Sequence, residues 1–393
     1  MRLQGVELSI VELFLRETVT TSALTHDRRP VLYVRIVTDG GEGWGECGAL
    51  ETGDGVDAPL AEVWQTLVER AVPRIFSAAA ARGGELPVPS VLARIVGDDA
   101  PARMAGAAVE MATLDLELRT AGRSLAAWLG TTRDVVEAGA VVGIPDDRDL
   151  GVLLAAVASA HETGARRVRM KIAPGWDATP VQAVRETFPD LALQVDANGA
   201  YRNGSDDDAD ASRLRLLDPW HLVCIEQPLP PTDLVALARL AAELETPVAL
   251  DESLSTPRRL RDALRYGACE VACLKPARLG GLAAARRAAE LCAEAGVPAF
   301  VGGFFETGLG RSANAAVAGL AGCTLPGDLS RPASYLDVDP CGYPEVTDGQ
   351  LAVPSLPGIG PPPDPDVLSA RSVARAWFPV DGEPEDGAGP GPA

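Results

Sequence analysis

The sequence predicts an α/β protein in which a modified TIM (β/α) barrel carries an α+β capping domain. A chain of 393 residues suits one large domain and a smaller one. Residues 1–130 combine strand-like and helical segments, whereas a strand–turn–helix pattern repeats about eight times between residues 135 and 335. Residues 340–378 then return towards the first part, so we expect both ends of the chain to form the capping domain.

The N-terminal region is predicted to begin with strands and to continue with helices. Residues 31–38 are rich in β-branched side chains, and a turn at 39–41 leads into a second strand-like stretch at 43–47, which together indicate a β-hairpin. Apolar residues at three- and four-residue steps predict helices at 59–72 and, most clearly, at 101–120.

The C-terminal region is predicted to complete the capping domain and then to lose regular structure. Residues 343–353 are expected to form a return segment, and residues 365–376 a short helix. Residues 381–393 are rich in glycine, proline and acidic side chains and have little to bury, so we expect a disordered tail.

The barrel strands are predicted from short, mostly apolar runs. Parallel strands require crossover connections, and amphipathic helices such as those at 233–244 and 282–295 supply them. The predicted strand cores are residues 139–143, 167–172, 192–196, 222–226, 248–251, 271–275 and 299–302, with a short eighth strand near Thr324.

Three acidic residues end three successive predicted strands. Asp196, Glu226 and Asp251 are separated by 30 and 25 residues, which is one strand–helix unit each. Because the carboxyl ends of barrel strands converge, the three carboxylates should face a common point, although a single strand-end acid is more often a helix cap. Converged carboxylates repel one another unless they bind protons or a cation. A hard divalent ion is therefore expected, Mg²⁺ first, with Mn²⁺ as a substitute.

Two lysines flank the three acids at the same spacing. Lys171 ends the strand before that of Asp196, and Lys275 ends the strand after that of Asp251. Because these strands are otherwise apolar, both lysines should point into the barrel mouth. Near a metal ion and another cation, the pKa of a lysine falls, which makes it a competent base; an ion pair with the acids is the simpler role. Arg169 shares the face of Lys171 and would help to keep it neutral.

Composition and charge argue against several other classes of protein. The chain has 55 acidic and 35 basic residues, and a net charge of −20 disfavours nucleic acid and membrane surfaces as partners. We find no apolar run long enough to span a bilayer and no secretory signal. The seven cysteines lack a C-x-x-C spacing and the three histidines are not paired, which argues against a disulfide framework or a zinc site. We expect a cytoplasmic protein.

Seven motifs follow one another along nearly the whole chain: Gly41-Glu-Gly-Trp-Gly-Glu-Cys47, Lys171-Ile-Ala-Pro-Gly-Trp-Asp177, Val195-Asp-Ala-Asn198, Ile225-Glu-Gln-Pro-Leu229, Leu250-Asp-Glu-Ser253, Lys275-Pro-Ala-Arg-Leu-Gly-Gly281 and Gly303-Phe-Phe-Glu-Thr-Gly-Leu-Gly-Arg311. In this order they resemble the muconate-lactonizing-enzyme subgroup of the enolase superfamily. Within that subgroup they resemble most the o-succinylbenzoate synthase / N-succinylamino acid racemase family. A lysine or histidine base combined with Mg²⁺ is characteristic of enolase-superfamily sites.

The resemblance implies roles for the five strand-end residues. Asp196, Glu226 and Asp251 match the metal ligands of the family. Lys171 and Lys275 match the two lysines on opposite faces of the substrate.

The resemblance also implies roles for residues around these five. Asn198 and Glu252 match residues that orient ligands and lysines, and Arg278 stands where the racemase-containing branch usually has arginine. Arg169 replaces the usual first lysine of a Lys-x-Lys motif, so its role would be electrostatic only. Glu306 either lines the substrate pocket or caps the following helix.

The implied activity is Mg²⁺-dependent removal of the proton α to the carboxylate of a small-molecule substrate, through an enediolate. Dehydration as in the o-succinylbenzoate synthases of menaquinone biosynthesis, racemisation of N-acyl or N-succinyl amino acids, or both would follow. The same five residues serve both reactions, so the sequence leaves them open. Dipeptide epimerisation, muconate-type cycloisomerisation and a non-catalytic binding barrel are the alternatives. A homo-oligomer is expected.

The predicted capping loops at 20–30 and 51–59 depart from the resemblance, and Val141 stands where close relatives have serine. Closing loops of this kind exclude water and orient the substrate, so altered loops should change substrate range more than chemistry. Acidic residues of the second loop, Glu51 and Asp54, could neutralise the basic residues of the first. If they are not neutralised, the basic residues His26, Arg28 and Arg29 would favour a second anionic or polar group on the substrate.

Overall fold

The computed structural model describes residues 1–21, 24–53, 55–202, 207–382 and 385–388. Within these ranges the strands are β1 (Leu3–Thr20), β2 (Thr25–Thr38), β3 (Gly41–Cys47), β4 (Val135–Glu137), β5 (Ala140–Val142), β6 (Val168–Lys171), β7 (Leu193–Asp196), β8 (Ile225–Glu226), β9 (Val248–Leu250), β10 (Val271–Leu274), β11 (Ala299–Val301), β12 (Gln350–Ala352), β13 (Ser372–Pro379) and β14 (Glu385–Ala388). The α-helices are α1 (Leu60–Thr66), α2 (Val72–Ala80), α3 (Pro89–Ile95), α4 (Ala100–Thr120), α5 (Leu125–Leu129), α6 (Leu150–Glu162), α7 (Ala178–Thr187), α8 (Asp207–Arg215), α9 (Leu234–Glu243), α10 (Pro257–Tyr266), α11 (Pro276–Leu279), α12 (Leu282–Ala295), α13 (Gly308–Ala318) and α14 (Pro365–Arg371).

The capping domain is built on an antiparallel sheet with the strand order β14-β13-β1-β2-β3. The predicted hairpin and the long helix are confirmed as β2–β3 and α4. Helix α4 packs closely on β3 because Gly43 and Gly45 carry no side chain. A Cβ atom at Gly45 would lie 2.1 Å from the carbonyl oxygen of Ala108. The Gly-Trp-Gly sequence is therefore required by the close approach of helix and strand.

The C-terminal region differs from the prediction. Helix α14 ends at Arg371, and β13 continues the chain as a strand paired with β1, so the expected helix at 365–376 is too long. The reason is period-two burial, in which Ala374, Ala376 and Phe378 face the core. The expected disorder of 381–393 is wrong for β14, which pairs with β13, whereas positions 383–384 and 389–393 lie outside the described residues.

The barrel contains a seven-stranded parallel sheet with the order β11-β10-β9-β8-β7-β6-β5. The expected eighth strand near Thr324 is instead an irregular segment. The Leu325 N–H donates to Ala299 of β11, and the Gly139 N–H, beside β5, donates to the carbonyl of Gly327. This segment thereby connects the two edges of the sheet. Pro326 has no N–H to donate, which prevents a regular ladder here.

The buried apolar side chains form a large cluster centred on the barrel and a second one in the capping domain. All seven cysteines are buried and carry free thiols. Within the described ranges, no helix combines the length and the apolar character that crossing a membrane requires.

Two acids of the capping domain hold the N-termini of barrel helices. Glu110 of α4 accepts the Leu282 N–H at the start of α12, at 2.5 Å. Glu46 of β3 accepts the N–H groups of Thr307 and Gly310, at 2.9 and 2.8 Å, at the start of α13. The first N–H groups of a helix lack partners within the helix, and its N-terminus attracts negative charge. Burial raises the pKa of both carboxyls to about 7, against opposing hydrogen bonds.

We expect Glu110→Gln to alter the pH dependence of unfolding. The pKa of Glu110 is raised in the folded state, so the folded protein keeps a proton that the unfolded chain loses, and the wild type loses stability between about pH 4.5 and 7. The Gln variant does not titrate, so its melting temperature should improve relative to the wild type from about pH 5 to 8. Glu110→Ala, which also lacks the acceptor, should cost about 1 kcal/mol relative to Gln. A difference between Gln and wild type that is constant with pH would contradict this.

Candidate active site

The carboxyl ends of five neighbouring barrel strands bring the five strand-end residues to one mouth. Lys171, Asp196 and Glu226 are the last residues of β6, β7 and β8, whereas Asp251 and Lys275 directly follow β9 and β10. All five side chains are buried. Lys171 Nζ lies 2.6 Å from Asp196 Oδ2, and Lys275 Nζ lies 2.8 Å from Asp251 Oδ2. The convergence expected from the sequence spacing is present.

A group of ligand atoms suited to a metal ion lies in this mouth. Within the described residues, an oxygen of Glu226, an oxygen of Asp251 and the sulfur of Cys273 lie within 4.8 Å of one another. Asp196, the third expected ligand, is not in this group. Its Oδ2 accepts hydrogen bonds from Lys171 and, at 2.8 Å, from Arg169. Two of the three expected ligands are therefore clustered, and cations hold the third on the adjacent strand.

The buried carboxyls fit a divalent cation. Burial raises the pKa of Glu226 to about 8; Arg169 opposes this, whereas the carboxylates of Asp196 and Asp251 reinforce it. Burial and Asp251 raise the pKa of Glu252 to about 7, and its Oε2 is buried with no hydrogen bond from the part of the chain that the structure describes. A bound cation would relieve the repulsion, and carboxylate oxygens are the donors that Mg²⁺ prefers.

Lys275 does not show the lowered pKa that we expected. Burial is the largest single influence and lowers its pKa, but the neighbouring carboxylate of Asp251, together with smaller contributions from groups such as Glu252, outweighs burial, so the pKa lies above its usual value. The ring of Phe304, 4.6 Å from Nζ, also favours the charged form. Among the protein's own groups, Lys275 is therefore held as a cation.

Arg169 lies among three carboxylates. Its Nη1 donates to Asp196 at 2.8 Å and to Glu226 at 2.7 and 2.9 Å, and its Nη2 donates to Asp328. Asp328 also binds Arg167 and is buried. Sequence reasoning missed Asp328 because it follows an irregular segment and not an apolar strand. Its position after the weak eighth segment, near Thr324, was the available signal.

Asn198 joins the two sides of the mouth. Its Oδ1 accepts a hydrogen bond from Lys171 Nζ at 2.9 Å, and its Nδ2 donates to Glu252 Oε1 at 2.9 Å. This contact pattern suits the orienting role that the resemblance implies for Asn198 and Glu252.

Arg278 connects the mouth to the capping domain. Its Nε donates to both carboxylate oxygens of Asp57, at 3.1 and 2.9 Å, and its Nη1 donates to Asp251. Asp57 belongs to the loop at 51–59, and no sequence pattern indicates its pairing, because 221 residues separate it from Arg278. The cap loop is thereby tied to a strand-end carboxylate.

Glu306 serves neither of the two roles proposed from the sequence. It is absent from the lining of the large cavity within the described residues. Helix α13 has Thr307 as its N-cap, without a side-chain cap. Glu306 instead accepts the Phe304 N–H at 2.9 Å and forms a buried ion pair with Arg311 at 3.2 Å. Its carboxylate therefore stabilises the turn after β11.

A cavity of about 330 Å³ opens above the two lysines, between the barrel mouth and the capping domain. Val141 lines it, as does Phe305, which has a φ of 54° and packs against His26 with ring centroids 6.0 Å apart. Its other lining residues include Val19, Leu24, Leu50, Val56, Arg169, Lys171, Asn198, Glu252, Lys275, Arg278 and Tyr335.

The three basic residues of the first cap segment have different environments. His26 lines the cavity, and burial, with Lys171 and Arg29, lowers its pKa. Arg29 is fully buried and donates to main-chain carbonyls, including that of Phe304 at 2.9 Å. Arg28 pairs at the surface with Glu12 and Glu51. Of the two alternatives, positive charge towards the substrate is therefore wrong for both arginines, whereas neutralisation by the second loop is confirmed for Arg28 by its ion pair with Glu51. Asp54 lies outside the described residues.

Known protein families match both the barrel and the capping domain of the chain. The family described as "Enolase C-terminal domain-like" matches residues 152–367, and the "Mandelate racemase / muconate lactonizing enzyme, N-terminal domain" matches residues 6–130. An N-succinylamino acid racemase from Amycolatopsis sp. is 41% identical over 96% of this chain and 100% of its own length. An o-succinylbenzoate synthase from Geobacillus kaustophilus is 38% identical over 92% and 93%. The solved structure of a probable mandelate racemase from Alicyclobacillus acidocaldarius has a TM-score of 0.84 at 37% identity, covering 97% of this chain and 100% of that chain.

We expect His26→Ala to change substrate range and Arg28→Ala to leave it unchanged. His26 faces the cavity as a neutral donor and acceptor, and loss of one hydrogen bond of about 0.5–1.5 kcal/mol changes kcat/KM by about 2- to 10-fold for substrates that use it. Arg28 is the matched control because its partners are Glu12 and Glu51. The measurement is kcat/KM over a panel of N-acyl amino acids and dipeptides. Equal effects of the two variants would contradict the assignment.

Proposed function

Because the chain belongs to the enolase superfamily, we propose that it is a Mg²⁺-dependent enzyme that removes the proton α to a substrate carboxylate. The relatives named N-succinylamino acid racemase and o-succinylbenzoate synthase match almost the whole chain. The proposed reaction is therefore racemisation of an N-acylamino acid, dehydration to an o-succinylbenzoate-like product, or both.

The observation that carries the proposal is the placement of two buried lysines on one cavity. Lys171 and Lys275 both line it, and the strands β7, β8 and β9 separate the strands that present them. A substrate held over the carboxylates of these middle strands would present opposite faces of its α carbon to the two amines. This is the arrangement that proton exchange on two faces requires.

The roles of the lysines follow from their positions. In racemisation, the neutral amine of one lysine takes the α proton and the ammonium of the other returns a proton to the opposite face. In dehydration, Lys171 takes the proton and returns it to the departing hydroxyl, while the ammonium of Lys275 stabilises the anion. The Asp251 ion pair that holds Lys275 as a cation suits the second role directly. Arg169 supplies charge but exchanges no proton.

The proposed metal ligands are Asp196, Glu226 and Asp251. Bound there, Mg²⁺, or Mn²⁺ in its place, would supply Lewis acidity that stabilises negative charge on the substrate carboxylate. Asn198 and Glu252 would keep Lys171 oriented through their hydrogen bonds. Arg278 would neutralise Asp251 from the side of the capping domain.

The proposed partner is a small molecule, and the proposed location is the cytoplasm. An excess of acidic residues, with a net charge of −20, supports a small-molecule partner in preference to nucleic acid or a membrane surface. Seven buried free cysteines suit a reducing cytoplasm. We also propose that the protein forms a homo-oligomer.

We expect Asp196→Asn, Glu226→Gln and Asp251→Asn each to abolish Mg²⁺-dependent turnover, because each removes one charge from a small ligand set. Calorimetry should show a Mg²⁺ affinity reduced by at least about tenfold. Glu243→Gln is the control, because this exposed acid pairs only at the surface with Arg215. Full activity of the wild type in excess chelator would contradict the metal assignment.

We expect single lysine variants to separate the two faces of the substrate. If the protein racemises, Lys171→Ala should lose α-proton exchange in D₂O with one enantiomer and Lys275→Ala with the other. If it only dehydrates, Lys171→Ala should abolish the reaction, whereas Lys275→Arg should keep a trace by preserving the charge. Identical exchange by both alanine variants would rule out two-base chemistry.

A further inference from the structure

Cys273 lies at the bottom of the candidate metal site. It belongs to β10 and precedes Lys275 by two residues, so both side chains leave the same face of the strand. Its sulfur lies within 4.8 Å of the carboxylate oxygens of Glu226 and Asp251. This places a soft donor beside two hard ones.

The neighbouring strand leaves room for this sulfur. A Cβ atom at Gly302, directly after β11, would lie 2.5 Å from Cys273 Sγ, so glycine is required there by the thiol. Cys273 is 2% exposed and packs with Ala249 and Phe300. Within the described residues, the sulfur takes part in no hydrogen bond, so no polar contact competes for it. An unpartnered carboxylate oxygen, Oε2 of Glu252, is buried next to Asp251.

The distances suit a thiophilic ion. Zinc binds sulfur at about 2.3 Å and carboxylate oxygen at about 2.0–2.2 Å, so two ligands of one tetrahedral ion lie roughly 3.5 Å apart. The three donor atoms all lie within 4.8 Å of one another, so they would close around the ion by up to about 1.3 Å. Soft thiolate ligands favour ions such as Zn²⁺ and Cd²⁺, whereas Mg²⁺ binds oxygen and not sulfur.

We propose that this site has a second binding mode, in which a thiophilic divalent cation is held by Cys273, Glu226 and Asp251. The S–H bond breaks, a sulfur–metal bond forms, and the thiol proton is released to solvent. Because Glu226 and Asp251 also belong to the proposed Mg²⁺ site, the thiophilic ion excludes Mg²⁺. The inference therefore rests on the metal site of the proposed function, but not on the reaction catalysed there.

The test is a titration of the metal-free full chain with Cd²⁺, followed by the ultraviolet sulfur-to-cadmium charge-transfer band. The wild type and Cys224→Ala should both show the band. Cys224 is the matched control, because it is a buried thiol of the same apolar cluster but lies outside the three-atom group. Cys273→Ser should lose the band and bind Cd²⁺ at least about tenfold more weakly, since even outer partners of a metal contribute about 10–100-fold.

Mg²⁺ calorimetry on the same proteins separates this proposal from the metal assignment. We expect the wild type, Cys224→Ala and Cys273→Ser to bind Mg²⁺ with the same affinity. If circular dichroism shows that the serine variant misfolds, the test is repeated with Cys273→Ala. Mg²⁺ binding by a wild type that shows no Cd²⁺ band, or a band retained in Cys273→Ser, would overturn the role of Cys273 and leave the proposed function intact. Failure of the wild type to bind either ion would refute both.

Discussion

Several buried carboxylates share the mouth of one barrel, and they can be ionised together only if cations lie among them. Lys171, Arg169, Lys275 and Arg278 supply this charge, each within ion-pair distance of a strand-end acid. Ionised groups lose their solvation on burial, so a misplaced partner would leave a costly unpaired charge. The positions of the lysines, and hence the chemistry that we propose, follow from this need for balance.

The same electrostatic requirement joins the capping domain to the barrel. Asp57 holds Arg278 from above, while Glu46 and Glu110 accept N–H groups at the starts of α13 and α12. Helix N-termini in a barrel sheet point to one end, so a cap that covers this end must provide acceptors. The proposed substrate cavity therefore lies where charged groups of the two domains meet, and residues from both domains form its walls.

Arg169 and the two lysines have different proposed roles because their cationic groups differ in chemistry. A guanidinium is charged at every relevant pH and binds carboxylates through several donors at once. In this mouth it bridges Asp196, Glu226 and Asp328. It is a fixed counter-charge, so in the proposed reaction the two lysines transfer the protons. Cys273, next to the same carboxylates, adds a donor of different softness to an otherwise oxygen-rich site.

The sequence by itself determined the barrel, its strand order along the chain and the polar residues at the strand ends, because strand and helix periods and a regular repeat spacing are local properties. Only the tertiary structure decided that Asp57 meets Arg278, that Asp328 meets Arg169, and that Arg29 is buried among carbonyls while His26 faces the cavity. These contacts join irregular segments that are distant in sequence, where no periodic pattern indicates which way a side chain points. Tertiary structure also decided that residues 372–379 form a strand, since an edge of β1 is available to pair with them.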